Sequence, residues 1–311
     1  MARIASGDEV IVPANSFFAT AEAVSNVGAT PVFGDVDPVT FHLDVNSVER
    51  LITPRTRAII AVHLYGRAMD MTELEELAER RGLTIIEDAA QAHGTERNGI
   101  RVGGSGRLTC FSFYPGKNLG AYGDGGIVTC HDPVHAEQLR LLRDHGSPAK
   151  YIHVVVGTNS RLDAIQAAVL SVKLRHLREW NMRRVQHAKA YVERLRNSCI
   201  QIPEIPPGRE HNFHLFVIRA KNRDALRRHL HACGIETGIH YPQPLHLTRA
   251  YQDLGYPMRG SLPVCEALAS EILSLPMYPE LSQNQIEKVS EAVLQFLDKL
   301  ETREVSVPTH V

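Results

Sequence analysis

At 311 residues the chain exceeds the size that a single hydrophobic core usually serves, so one large and one smaller domain are expected. With 43% hydrophobic and 22% charged residues it has the composition of an ordinary globular protein rather than a disordered or fibrous one. A formal net charge of −1 removes any electrostatic case for nucleic acid or an anionic membrane surface, and no apolar run is long enough to span a bilayer.

In chain order, Val10-Ile11-Val12 reads as a strand leading into Pro13-Ala14-Asn15-Ser16, followed by a helical stretch at 20–27. Pro31-Val32-Phe33 is a second strand, and 57–62, continuously apolar from Ala58, is a third that is buried on both faces. Thr72 is placed to cap a helix running to Arg81, with Glu75 completing a capping box and Gly82 as the stop. Strands follow at 83–86, 108–113 and 127–130, and 163–196 is amphipathic and proline-free, hence helical. This alternation of strand and helix predicts βαβ units and a mostly parallel sheet, an α/β fold. The run Ile202-Pro203-Glu204-Ile205-Pro206-Pro207-Gly208 marks a boundary, giving a large domain over 1–200 and a small one over 201–300. The small domain should hold a strand at 213–218, a helix capped by Asn222 and closed by Gly234, and a last helix at 283–300. The polar tail 301–311 is expected to be disordered.

Five cysteines, odd in number and without a C-x-x-C pair, read as reduced apolar residues of a cytoplasmic protein. The first ten residues lack the apolar centre of a secretory signal. Among sixteen histidines the local pair His211-x-x-His214 falls in or beside the expected strand without an H-E-x-x-H pattern, so no metal site is expected.

The chemistry concentrates in 111–126. Phe-Ser-Phe-Tyr-Pro-Gly-Lys-Asn-Leu-Gly sets Lys117 just past an apolar strand, inside a glycine-rich turn, with Ser112 five residues earlier. Such a turn brings backbone close to a bound group, and partial desolvation would leave the amine nucleophilic; a solvated turn lysine is the alternative. Asp88 ends the strand Leu-Thr-Ile-Ile-Glu-Asp, where open α/β sheets bind ligands, or else caps the segment that follows. A lysine amine and a carboxylate at strand ends suit pyridoxal phosphate (PLP), the lysine as Schiff-base amine and the aspartate paired with the pyridine nitrogen. Gln91, three residues on, can share the face of Asp88, and Phe17 and Phe18 offer an aromatic face or ordinary core. No Walker sequence and no G-x-G-x-x-G is present, which disfavours nucleotide hydrolysis and dinucleotide redox chemistry.

These stretches, in this order, resemble the DegT/DnrJ/StrS family of PLP-dependent sugar aminotransferases. They comprise Gly7-Asp8-Glu9-Val10-Ile11-Val12-Pro13, Val62-His63-Leu64-Tyr65-Gly66, Glu87-Asp88-Ala89-Ala90-Gln91, residues 111–126, Asn159-Ser160-Arg161-Leu162 and Gly238-Ile239-His240-Tyr241-Pro242. The resemblance implies PLP fold type I, the aspartate-aminotransferase-like architecture, with a smaller α+β C-terminal domain. By the same resemblance Lys117 binds the cofactor as a Schiff base and shuttles the proton. Asp88 pairs with the pyridine nitrogen, Gln91 contacts the ring hydroxyl, Phe17 stacks on the ring and Ser112 binds the phosphate. Asn159 matches a residue that reaches the phosphate of the neighbouring subunit, which implies a homodimer with shared sites. His240 and Tyr241 match residues facing a nucleotide-linked 3-keto-deoxyhexose, with glutamate as amino donor; a rigid interdomain turn is the alternative for that segment. A family branch that dehydrates sugars carries histidine at the lysine position, so Lys117 favours transamination. A cyclitol ketone or 4-keto-sugar as substrate, and a non-catalytic regulatory role for the fold, are the competing readings. Typical members begin well before the position of Met1, with an N-terminal helix and a Ser/Gly-Thr-x-Ala-Leu loop that cradles the phosphate. On that comparison Met1 matches an internal methionine, and the chain is expected to lack that segment.

Overall fold

The computed structural model describes residues 4–252, 255 and 259–305, with side chains as far as residue 300. Strand β1 (Glu9–Pro13) leads to helix α1 (Phe18–Asn26), β2 (Thr30–Gly34), α2 (Val45–Leu51), β3 (Thr56–Val62), α3 (Thr72–Arg81) and β4 (Thr84–Asp88). A short ribbon, β5 (Glu96–Arg97) and β6 (Ile100–Arg101), precedes β7 (Leu108–Ser112) and β8 (Gly126–Thr129). Helices α4 (Pro133–Arg143), α5 (Ala164–Leu174) and α6 (Leu177–Leu195) connect to β9 (Phe216–Arg219) and α7 (Arg223–Ala232). Then come α8 (Arg249–Gln252), α9 (Pro263–Glu271), β10 (Ile272–Leu275) and α10 (Gln283–Val305).

The main sheet has the order β2–β1–β3–β4–β7–β8 and is parallel except for the β7–β8 pair. Strands β1 and β3 are apolar on both sides because both faces of the sheet are covered there. Ile11, Ile59 and Ile85 pack with Val48 of α2 and Leu74 and Leu77 of α3. Their neighbours Val10, Val12, Ala58 and Ile60 turn the other way and pack with Ala21 and Val24 of α1 and with Cys265 and Leu268 of α9. A second core joins the antiparallel β9–β10 pair to α7, α10 and the C-terminal half of α6. Ala188, Tyr191 and Leu195 belong to it, so its packing reaches back across the boundary expected at residue 200.

Several local expectations are corrected. Thr72 is the first residue of α3, not its cap: its N–H and hydroxyl both donate to Asp70, and Glu75 is drawn to Arg107 instead of closing a capping box. Gly82 does end the helix, in the left-handed conformation at φ 65°. The helical stretch 163–196 is two helices, because the amides of Arg175 and His176 bond three residues back rather than four. That tight turn lets Leu170 and Leu177 enter one cluster with Phe113, Leu119 and Ala121. Asn222 sits at the cap position of α7 without a side-chain cap bond. The strand expected at 213–218 is confined to Phe216–Arg219, which leaves His211 and His214 outside it. Helix α10 runs to Val305, five residues into the segment read as a disordered tail; 306–311 lie outside the described residues.

On the interior strand β4, Glu87 accepts hydrogen bonds from His63 Nε2 at 2.8 Å, Ser105 Oγ at 2.9 Å and Arg107 Nε at 2.6 Å. Met69 donates its amide to His63 Nδ1, so the histidine proton is on Nε2. Burial opposes the Glu87 charge, but the His63 and Arg107 interactions outweigh it and hold the carboxyl at about 2. A carboxyl depressed in the folded state stabilises fully above its ordinary value of 4.5 and loses that contribution as pH falls towards 2. Glu87→Gln is expected to cost about 3 kcal/mol at neutral pH and to flatten the stability curve across this acid window. Denaturant melts at stepped pH check both; an unchanged acid limb would contradict the assignment.

Among the described residues no helix is long and apolar enough to cross a membrane, and no cluster of three or more His, Cys, Asp or Glu has a metal-holding arrangement.

Candidate active site

The site lies at the C-terminal ends of β1, β4 and β7, where the chain leaves the sheet. After β7, Phe113 is buried and the turn Tyr114-Pro115-Gly116-Lys117 closes with the Lys117 amide donating to the Tyr114 carbonyl at 2.9 Å. Gly120 permits the fold-back, since a Cβ there would stand 2.3 Å from the Pro115 carbonyl oxygen. Lys117 is half-buried. Burial lowers its amine pKa below that of an ordinary lysine, and the Asp88 charge only partly offsets this.

Asp88 closes β4 and is held from two sides. Thr20 Oγ1 donates to Oδ2 at 2.8 Å and the Ala90 amide to Oδ1 at 3.1 Å, while Ser16 Oγ lies 2.8 Å from Thr20 Oγ1. Gln91 is buried; its Oε1 accepts the Tyr65 amide, and its Nε2 donates to Tyr241 Oη at 3.1 Å. Tyr241 comes from the C-terminal half, and its ring centroid is 5.7 Å from that of Phe17, which is 55% exposed and so presents a face to the cleft. Burial, with the Asp88 charge, pushes the Tyr241 phenol up to about 12 despite the Gln91 bond, so it stays protonated. His240 Nδ1 is 2.8 Å from Ser274 Oγ, and the His240 carbonyl accepts from Tyr65 Oη. Burial, then the Lys117 charge, lowers the His240 pKa and keeps the ring neutral near pH 7.

The structure therefore brings together Lys117, Asp88, Gln91, Phe17, His240 and Tyr241 from both halves of the chain. Ser112 sits at the base of the lysine turn, where its hydroxyl oxygen accepts the Tyr114 amide at 3.2 Å and its proton is left to donate outward. Asn159 stands apart: it is exposed, in a bridge to Asp144 after α4, and its side chain makes no hydrogen bond among the described residues. The sequence reading gave no site role to Thr20, Tyr65, Asn118, His214 or Ser274. Thr20 follows Phe17 by three residues and Asn118 follows Lys117 directly, so only position hinted at these two. The chemistry of the set fits PLP, with an easily neutralised amine, a fixed carboxylate, an anchored amide, an exposed aromatic face and a hydroxyl donor.

The profile of the DegT/DnrJ/EryC1/StrS aminotransferase family matches residues 1–294. The chain belongs to this family. Among its relatives, the erythromycin biosynthesis sensory transduction protein EryC1 of Saccharopolyspora erythraea is 53% identical over 92% of this chain and 78% of its own length. The dTDP-3-amino-3,4,6-trideoxy-alpha-D-glucose transaminase of Streptomyces venezuelae is 50% identical over 96% of this chain and 79% of its own. The solved structure of S. venezuelae DesV in complex with a ketimine intermediate superposes with a TM-score of 0.92 at 49% identity, covering 95% of this chain and 80% of DesV. DegT/DnrJ/EryC1/StrS membership and that likeness establish the fold of PLP-dependent sugar aminotransferases and make the protein an aminotransferase.

Proposed function

We propose that this chain binds PLP and transfers an amino group from glutamate to the 3-keto position of a nucleotide-linked deoxyhexose, dTDP- or UDP-linked. The observation that carries the reading is the convergence of the Lys117 amine and the Asp88 carboxylate on one cleft that Gln91, Tyr241 and Phe17 also line. The 3-amino sugar in the name of the S. venezuelae relative supports this substrate class. Bound PLP supplies the aldehyde that carries the amino group and a ring that absorbs carbanion electrons.

The residues divide the remaining work. Lys117 would hold the cofactor and, once the substrate amine frees it, would take the proton from the α-carbon of glutamate and, in the second half-reaction, deliver one to C3 of the sugar. Asp88, locked by Thr20 and the Ala90 amide, keeps the pyridine nitrogen protonated. With the cofactor bound, Gln91 would contact the ring hydroxyl, Phe17 would cover the ring face and Ser112 would donate to the phosphate. Tyr241 and His240, anchored through Gln91, Tyr65 and Ser274, face the sugar. Asn159, exposed on this subunit, would reach the phosphate at the neighbouring subunit's site in a homodimer. All five cysteines are free, in keeping with a cytoplasmic enzyme.

A substrate panel tests the reading. With glutamate and PLP, 2-oxoglutarate should form with dTDP- or UDP-linked 3-keto-deoxyhexoses, and at least tenfold slower with 4-keto isomers or free cyclitol ketones. Turnover of the cyclitol ketones alone would replace the nucleotide-sugar assignment.

A further inference from the structure

The turn that carries Lys117 is tied from behind by side-chain amides. Buried Asn118 donates from Nδ2 to Asn181 Oδ1 on α6 at 2.9 Å, which leaves Asn118 Oδ1 to accept from His214 Nδ1 at 3.0 Å. Asn181 in turn donates from Nδ2 to the His93 carbonyl at 2.8 Å. Asn212 donates to the carbonyls of Gln91 and His93 at 2.9 and 3.1 Å, and its Oδ1 accepts the His214 amide at 2.9 Å. Each of the three asparagines is used at both ends of its amide. Together they join the lysine turn, the segment that follows Asp88, and residues 211–214.

We propose that Asn181 is a positioning residue for Lys117, acting through Asn118 to fix the lysine turn against the Asp88–Gln91 segment and to seal it from water. The proposal rests on the reading of Lys117 as the reacting amine. Its geometry is specific: a satisfied buried network has one arrangement, and removing a member orphans the groups it held. The seal follows from what lies behind. Asn181 and Asn212 form part of the wall of a cavity of about 390 Å³ that Leu177, Met182 and Arg209 also line. Truncating Asn181 joins that cavity to the back of the lysine turn and hydrates the amine.

The titratable groups that act on Lys117 are Asp88, His93, His214 and His240. Burial holds the three histidines neutral near pH 7, so none is expected to change charge where the amine titrates. The test uses the cofactor-free protein and an amine-acylating reagent, with labelling of Lys117 followed by peptide mass spectrometry as a function of pH. Asn181→Ala is expected to raise the midpoint of Lys117 labelling by about one pH unit, roughly tenfold slower labelling below it. Asn118→Ala should do the same, and the double variant no more than either, because the two residues act in series. Asn181→Asp keeps the oxygen that receives Asn118 but loses the donor to the His93 carbonyl and adds a carboxylate, so its Lys117 midpoint should rise as well. Folded Asn181→Ala protein with an unchanged labelling profile, or additive effects of the two alanines, would overturn the proposal even if both variants lost thermal stability. Should Asn181→Ala not fold, Asn118→Ala, which removes the group through which Asn181 acts, decides it, and an unchanged Lys117 profile in that variant overturns the proposal. Failure of the underlying reading shows in the wild type alone, as a Lys117 midpoint no lower than that of surface lysines, and would take the proposal with it.

Discussion

Lys117→Ala is expected to lower kcat/KM for transamination by about 10⁴-fold or more while leaving the fold intact. The loss is large because one amine both holds the cofactor and moves the proton, and no nearby side chain replaces it. Lys173 is the other amine at this loop, and its Nζ is committed to the Gly120 carbonyl and lies over the Tyr122 ring. Stability should change little. Lys117 is half-buried with its charge opposed by burial, so truncation removes a desolvation cost together with its attraction to Asp88. Steady-state rates with glutamate and a keto-sugar, beside a thermal melt, check both halves. An unchanged kcat/KM in folded Lys117→Ala protein would contradict the assignment.

Asp88→Asn carries the second-largest expected effect, a fall in kcat on the order of 10²–10³-fold. The substitution preserves shape and removes charge. The amide oxygen can still accept the Ala90 amide, and the Thr20 hydroxyl can reverse, accepting from the new NH₂ and donating to Ser16 Oγ 2.8 Å away. The fold should therefore survive, and the loss reports electrostatics: a neutral amide cannot keep a pyridine nitrogen protonated. A loss confined to KM, with kcat unchanged, would place Asp88 in substrate binding instead.

What could be read from the sequence was whatever depends on neighbours along the chain. The strands around Ile11, Ile59 and Ile85 show in the continuous apolar runs that double burial requires; Asp88 stands where the last of them ends, and Lys117 just past the next strand of that sheet, β7. Long-range partners left little trace. Thr20 meets Asp88 across 68 residues, and Tyr65 meets His240 across 175, through contacts that no periodicity encodes. The helix break at 175 was invisible because it needs no proline or glycine, only a tightened turn that lets Leu170 and Leu177 share a cluster. Thr72 misled for a related reason: Asp70, two residues earlier, competes for the same amide with a charged acceptor.

The central claim, that this chain holds PLP on Lys117 and takes an amino group from glutamate, is tested most directly by a visible absorption titration of the purified protein with PLP, followed by glutamate. The account predicts a saturable visible band that Lys117→Ala lacks, and its replacement by the spectrum of the amine form of the cofactor when glutamate is added. A folded protein that shows no such band at saturating PLP, or shows one equally in Lys117→Ala, would contradict it.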